Sequence, residues 1–214
     1  MISKQGFIEF MTGAGVLTFG DFTTKSGRKT PYFVNTGYYK TGGHISALGD
    51  YYADSVVSSG ERFDALFGPA YKGITLAAAT AGALYRNFGI NVPYFFNRKE
   101  IKDHGEGGSL IGYTPEDGDR IIIIEDVVTA GTAVRESLNL LKTVADVTVA
   151  ALFVSVDRME RGTGERSTLD ELRDELGINV YSIINARDII ESLPKGDERI
   201  AKMEEYLARY GAGV

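Results

Sequence analysis

The sequence predicts an α/β domain built on an open, mostly parallel sheet with helices on both faces, and three observations support that prediction. From residue 63 onward, short apolar segments alternate with helix-length stretches, the pattern of repeated strand–helix–strand units. The segment Arg120–Ile124 reads RIIII, so both faces of any strand it forms are apolar and must be covered, as in a parallel sheet. The 214 residues, 43% hydrophobic, suffice for one well-buried domain, and no stretch reads as a linker, repeat or low-complexity tract. The whole chain, 1–214, is therefore expected to be a single domain.

The elements follow in order. Residues 2–12 read as a short amphipathic helix with Ile2, Phe7, Phe10 and Met11 apolar. Phe19–Asn35 is aromatic, basic and turn-rich; it predicts short strands around a Ser26-Gly27 turn, with Pro31 excluding a helix. His44–Ser59 has helical spacing, with Ile45, Leu48, Tyr52 and Val56 along one face. Strands are then expected at Phe63–Phe67, Val92–Phe96, Arg120–Ile124, Val147–Val156 and Val180–Ile184. Between and after them, helices are expected at Ile74–Asn87, Thr132–Val144, Thr168–Leu176 (capped by Ser167 or Thr168) and Asp197–Tyr210, the last read as a packing helix. Ligands of open α/β sheets sit at the carboxyl ends of the strands. That rule directs attention to the loops after Phe67, Phe96, Ile124 and Val156.

Composition removes several classes of function. A net charge of −6 argues against a nucleic-acid partner, although it leaves room for a local basic site. The absence of cysteine excludes disulfides, thiolate metal sites and thiol nucleophiles. No segment approaches the roughly 20 apolar residues of a membrane helix, and acidic Glu9 interrupts the N-terminal apolar residues, so no signal peptide is expected. A cytoplasmic enzyme without a membrane partner is the expectation.

The segment Ile121–Ala133, IIIIEDVVTAGTA, carries the strongest chemical signal. Four isoleucines end in Glu125-Asp126, and Thr129-Ala130-Gly131-Thr132 then opens a helix. The start of a helix offers unpaired N–H groups and partial positive charge, which suit a phosphate. Gly131 permits close backbone approach, and the two threonines add hydroxyl donors. Two carboxylates beside a phosphate make sense if they face sugar hydroxyls of the same ligand and help to hold Mg²⁺. Helix capping by Asp126 and Thr129 accounts for one acid and one threonine but not for the remainder. A P-loop would need Gly-Lys-Ser/Thr, and a dinucleotide fingerprint three spaced glycines; neither is present. The residues thus point to a phosphorylated ribose.

This segment resembles the phosphoribosyl diphosphate binding motif of the type I phosphoribosyltransferases. The resemblance implies that Thr129, Ala130, Gly131 and Thr132 cradle the 5′-phosphate and that Glu125 and Asp126 grip the ribose hydroxyls. Val127, Val128 and Ala133 complete the donor-binding segment. It also implies that fold, with residues 1–40 as an N-terminal hood over the base site.

Four further segments resemble the orotate phosphoribosyltransferases within that family. FNRKEIKDHGEGGSLIG, residues 96–112, places Arg98, Lys99, Lys102 and His104 within seven residues, followed by Gly105, Gly107 and Gly108. Such a charge run is ordinarily a solvated loop, but the glycines carry an entropic cost that makes sense for a segment closing over a polyanion. The resemblance makes these four residues catalytic, and implies a homodimer in which the 98–108 loop reaches the neighbouring site. In FTTKSGRKTPYFVN, residues 22–35, it makes Lys25 a contact to orotate or diphosphate and Phe33 the stacking face over the base. Family members often have a second aromatic where this chain has Val34, which leaves Val34 only backbone contacts. In FGPAYKG, residues 67–73, it turns Tyr71 and Lys72 toward the diphosphate. In VSVDRMERG, residues 154–162, it assigns Arg158 to the carboxylate of orotate, which a guanidinium fork matches with two hydrogen bonds.

The expected reaction moves ribose 5-phosphate from phosphoribosyl diphosphate to N1 of orotate, with Mg²⁺ carried mainly by the diphosphate and no dedicated protein metal site. No histidine pair is spaced for a transition metal, and His44 reads as a surface or capping residue. Two alternatives stay open. A phosphoribosyltransferase for a purine base would leave Arg158 and the lysine–histidine loop without a purpose, and a non-catalytic sensor of the ribose donor could dispense with that loop.

Overall fold

The computed structural model describes residues 3–24, 27–99, 109–128, 131–162 and 164–212. In chain order it runs α1 (Lys4–Gly13), β1 (Leu17–Thr23), β2 (Lys29–Val34), α2 (Gly42–Ser59), β3 (Ala65–Gly68), α3 (Lys72–Phe88), β4 (Tyr94–Asn97), β5 (Leu110–Gly112), β6 (Arg120–Ile124), α4 (Thr132–Val144), β7 (Thr148–Asp157), α5 (Thr168–Leu176), β8 (Asn179–Asn185), α6 (Ala186–Ser192) and α7 (Glu198–Tyr210). A 3₁₀ turn, Thr36–Tyr38, follows β2.

Six strands form the main sheet in the order β5-β4-β3-β6-β7-β8. All neighbours in it are parallel except β4 and β5, which are antiparallel. Alternation along β6 shows why four isoleucines stand in a row. Ile122 and Ile124 belong to one core, with residues of α1, α2, α3, α6 and α7. Ile121 and Ile123 belong to the other, with residues of α4 and α5. Successive strand residues point to opposite faces, and here each face meets its own helical layer. The expected sheet with helices on both faces is therefore observed.

The strand order brings β6 between β3 and β7, so the loops after all three open at the same edge. Helix α3 begins at Lys72, two residues earlier than Ile74, where the sequence suggested. Its first turn reaches that position because Gly73 lacks a side chain. A Cβ there would stand 2.7 Å from Pro69 Cδ and 2.9 Å from the Ile124 carbonyl oxygen. Three elements were not anticipated: β5, the 3₁₀ turn and α6. The first two have only three residues each, too few to show a period. Helix α6 is two turns long, with Asn185 and Asp188 forming a reciprocal capping box at its start.

The β1–β2 hairpin is a separate two-stranded sheet that spans the expected Ser26-Gly27 turn, although Ser26 lies outside the described residues. Its β1 strand packs against α1 and its β2 strand against α7. Helix α7 buries Met203, Tyr206 and Leu207, in agreement with its reading as a packing helix. No helix among the described residues is long and apolar enough to cross a membrane.

Candidate active site

Beyond Ile124 the chain leaves the sheet, and its backbone is held from both sides. The Glu125 carbonyl accepts a 2.6 Å hydrogen bond from the Tyr52 hydroxyl of α2. The Asp126 carbonyl accepts from both the backbone N–H and the hydroxyl of Ser155 in β7, at 2.9 and 2.7 Å. Both acidic residues are more than nine-tenths buried. Their main chain is thus fixed while their carboxylates line a cleft.

That cleft has a volume of about 350 Å³. Its walls are Ala70, Tyr71, Lys72, Glu125, Asp126, Val127, Val128, Gly131, Thr132, Ala133 and Val134. Nine of these were expected from the sequence; Thr129 and Ala130 fall outside the described residues.

The two acids differ in charge state. Asp126 Oδ2 accepts from Lys72 Nζ and from Thr36 Oγ1, both at 2.6 Å, and Lys72 Nζ also reaches Thr36 Oγ1 at 3.0 Å. Burial opposes ionisation of Asp126, but the Lys72 ammonium and the Thr36 hydroxyl outweigh it, and the carboxyl is held below its ordinary value. Glu125 has no such cation in contact among the described residues. Burial is the larger influence there and pushes it up to about 8, opposed by the Asp126 backbone N–H and assisted by the Asp126 charge. One carboxylate is therefore committed to its charge, and the other gains or loses a proton near neutral pH.

Across the cleft, α4 opens on Gly131 at φ +72°, and no side chain among the described residues caps it. Capping by Asp126 does not occur, since its carboxylate is engaged with Lys72 and Thr36. The first-turn N–H groups of α4 consequently face the cleft with their partial positive charge available to an anion. A Cβ on Gly131 would come within 2.8 Å of Arg135 Nη1 and 3.0 Å of Leu172 Cδ2, so both space and conformation require glycine.

Residues 38–182 match the phosphoribosyl transferase domain family. The orotate phosphoribosyltransferase of Clostridium beijerinckii is 49% identical, covering 98% of this chain and 98% of its own. The chain belongs to the orotate phosphoribosyltransferases. The orotate phosphoribosyltransferase of Shigella boydii is 47% identical, covering 97% of this chain and 98% of its own. The crystal structure of the Francisella tularensis orotate phosphoribosyltransferase superposes with a TM-score of 0.88 at 38% identity, covering 96% of this chain and 99% of that one. An adenine phosphoribosyltransferase from Thermoanaerobacter pseudethanolicus shares the fold alone, at a TM-score of 0.53 and 15% identity.

Of the residues that resemblance to the orotate enzymes singled out, Tyr71 lines the cleft, whereas Arg98, Lys99, Phe33 and Val34 are not among its lining residues. The Ala70–Tyr71 peptide is cis, and the Ala70 N–H donates to Asn97 Oδ1 at 2.8 Å. Tyr71 is two-thirds exposed, and the Lys99 ammonium lies 5.0 Å from its ring centroid. The Arg98 N–H donates to the Ser109 carbonyl at 2.8 Å, while its buried Nε has no partner among the described residues. Phe33 is partly exposed and packs on Phe22 with ring centroids 5.5 Å apart. Val34 packs its side chain onto the main core. Lys25, Lys102 and His104 lie outside the described residues.

Arg158 stands just beyond β7 and is not free. Its guanidinium pairs with Glu160 at 2.6 Å and lies 4.3 Å from the Tyr32 ring centroid. Sequence reasoning missed Glu160 as well as Thr36, Asn97 and Tyr52. Thr36 is 90 residues from its partner Asp126, and no local spacing signals such a pair. His44 behaves as expected near the start of α2: its backbone N–H donates to Thr41 Oγ1 and its Nδ1 accepts from the Lys40 N–H.

Proposed function

We propose that the cleft between β6 and α4 transfers ribose 5-phosphate from phosphoribosyl diphosphate to N1 of orotate, giving orotidine 5′-monophosphate and diphosphate in pyrimidine biosynthesis. The observation that carries this reading is the pairing of two buried carboxylates with a helix start that no described side chain caps, across one small cleft. A ligand bearing a phosphate at one end and a diol beside it satisfies both walls. Residues 129–133 and the α4 N-terminus take the 5′-phosphate, with Val127 and Val128 lining the wall between, and Glu125 and Asp126 take the ribose hydroxyls.

Displacement at the anomeric carbon passes through an oxocarbenium-like state, as in glycoside chemistry. Its demands are charge neutralisation on the departing diphosphate, a fixed ribose and exclusion of water. Lys72, Lys99, Arg98, Lys102 and His104 supply the first, with Tyr71 framing the diphosphate beside Lys99. Carboxylate charge beneath the ring favours the positive charge that develops there. The donor set suits Mg²⁺, a hard cation that prefers oxygen. Glu125 and Asp126 would hold it together with the diphosphate, and when bound it supplies further neutralisation of the leaving group. Lys25, Phe33, Val34 and Arg158 face the acceptor, with residues 1–40 as its hood, and Arg158 takes the carboxylate. The reading includes a homodimer in which the 98–108 segment serves the neighbouring site, and a cytoplasmic location.

The direct test follows the absorbance of orotate after addition of phosphoribosyl diphosphate and Mg²⁺. Loss of orotate absorbance that depends on the donor is expected. Turnover with a purine base and none with orotate would reverse the choice of acceptor.

A further inference from the structure

The charged cluster around Arg158 contains more than an acceptor contact requires. Arg158 Nε donates to Glu160 Oε1 at 2.7 Å, and Nη2 reaches the same oxygen at 2.6 Å. Nη2 also approaches Thr30 Oγ1 of β2 at 3.3 Å, and the guanidinium face covers the Tyr32 ring. Glu160 Oε1 accepts a third hydrogen bond, 2.8 Å long, from the hydroxyl of Tyr206 in α7. The main chain is fastened to the same end of the molecule. Arg161 N–H donates to the Tyr210 carbonyl at 2.9 Å, and Ala212 N–H donates to the Met159 carbonyl at 2.8 Å.

We propose that Glu160 and Tyr206 are positioning residues for Arg158, so that the C-terminal helix α7 helps to set affinity for the acceptor's carboxylate. This rests on the reading that Arg158 binds that carboxylate. An arginine on a loop has many rotamers to lose, and fixing one arrangement beforehand lowers the cost of binding. Glu160 occupies the Nε edge of the guanidinium and leaves Nη1 without a protein partner among the described residues. A carboxylate that meets Nη1 finds that charged donor already held in a fixed plane. The Tyr206 hydroxyl is well placed to fix Glu160: Tyr206 is buried, and its ring meets Tyr32 edge-on with centroids 6.3 Å apart. A chain of four side chains, Tyr206–Glu160–Arg158–Tyr32, thus runs from α7 to the hairpin.

Steady-state kinetics of Glu160→Gln and Tyr206→Phe, with Arg158→Ala alongside, test the proposal. Both first variants preserve side-chain size. Each is expected to raise the KM for orotate about tenfold, the scale of one hydrogen bond to a charged group, with the KM for phosphoribosyl diphosphate changed less than about twofold on the same scale. Preference for orotate over uracil, which lacks the carboxylate, should narrow by the same factor. A purely structural role would instead lower activity toward donor and acceptor alike. Wild-type orotate KM in both variants, with Arg158→Ala still impaired for orotate, overturns the positioning role and leaves the carboxylate reading intact. A fall in orotate KM in Glu160→Gln also overturns it, since Glu160 would then compete with orotate for Arg158. An Arg158→Ala enzyme with unaltered orotate KM removes the underlying reading and this proposal with it.

Discussion

Replacing Gly73 by alanine tests whether the start of α3 is held where it is by contact rather than by sequence preference. The added Cβ would sit 2.7 Å from Pro69 Cδ, 2.9 Å from the Gly68 carbonyl carbon and 2.9 Å from the Ile124 carbonyl oxygen. Carbon contacts are most favourable near 3.5–4.0 Å, so the helix must withdraw by several tenths of an ångström from both β3 and β6. Overpacking of this kind costs about 1–3 kcal/mol. At roughly 2–4 °C per kcal/mol for a chain of this size, Tm should fall by about 2–12 °C. Gly82, nine residues further along the same helix, has nothing within 4 Å of its added Cβ. Gly82→Ala should therefore stabilise by about 0.5–1 kcal/mol, because helix propensity is then the main effect. Thermal unfolding of the two variants provides the comparison, with the KM for phosphoribosyl diphosphate as a second readout. Lys72 adjoins Gly73, and a withdrawn helix start separates its ammonium from Asp126, so donor KM should rise for Gly73→Ala alone. A Gly73→Ala protein that melts within about 1 °C of wild type, less than the smallest cost expected for overpacking, would refute the reasoning.

Two other outcomes follow from the site. Glu125 has a folded-state value near 8 against an ordinary 4.5, so folding favours its protonated form. Its contribution to stability is complete below about 4.5 and is lost as pH rises toward 8. The ligand-free Glu125→Gln protein should lose that part of the decline in Tm between these values; an unchanged slope would show that other groups cause it. On the proposed dimeric reading, Lys102→Ala alone should lower kcat by about 10²-fold, the scale of one charge-stabilising donor. Mixing it with Asp126→Ala should restore activity through hybrid dimers, and no recovery after demonstrated subunit exchange would mean self-contained sites.

What could be read from the sequence was whatever acts along the chain. RIIII announced a strand covered on both sides because alternation alone places two isoleucines on each face. The Glu125-Asp126 pair and Gly131 were legible for the same reason, since strand, acids and helix start are consecutive. Contacts made across the chain were not legible. Lys72 is 54 residues from Asp126, and Tyr206 is 46 from Glu160. Each pair exists only because the sheet order and the packing of α7 bring distant segments together. Glu160 shows the limit well: it stood two residues from Arg158 in plain view, but its role depends on a tyrosine in a helix read only as packing. The capping box of α6 was a missed feature that did have a local signature, in Asn185 and Asp188.

The antiparallel pairing of β4 with β5 carries a consequence for how this enzyme can vary. Asn97 lies opposite Leu110, and Arg98 N–H bonds to the Ser109 carbonyl, so the chain departs from and returns to one point on the sheet. Whatever lies between is closed by its own stem. Its length can therefore change without shifting β3 or β6, and doubling a closed loop costs only about 0.6 kcal/mol. The segment with the densest basic charge is thereby tied to the scaffold at a single point, apart from the carboxylate pair that the two cores hold.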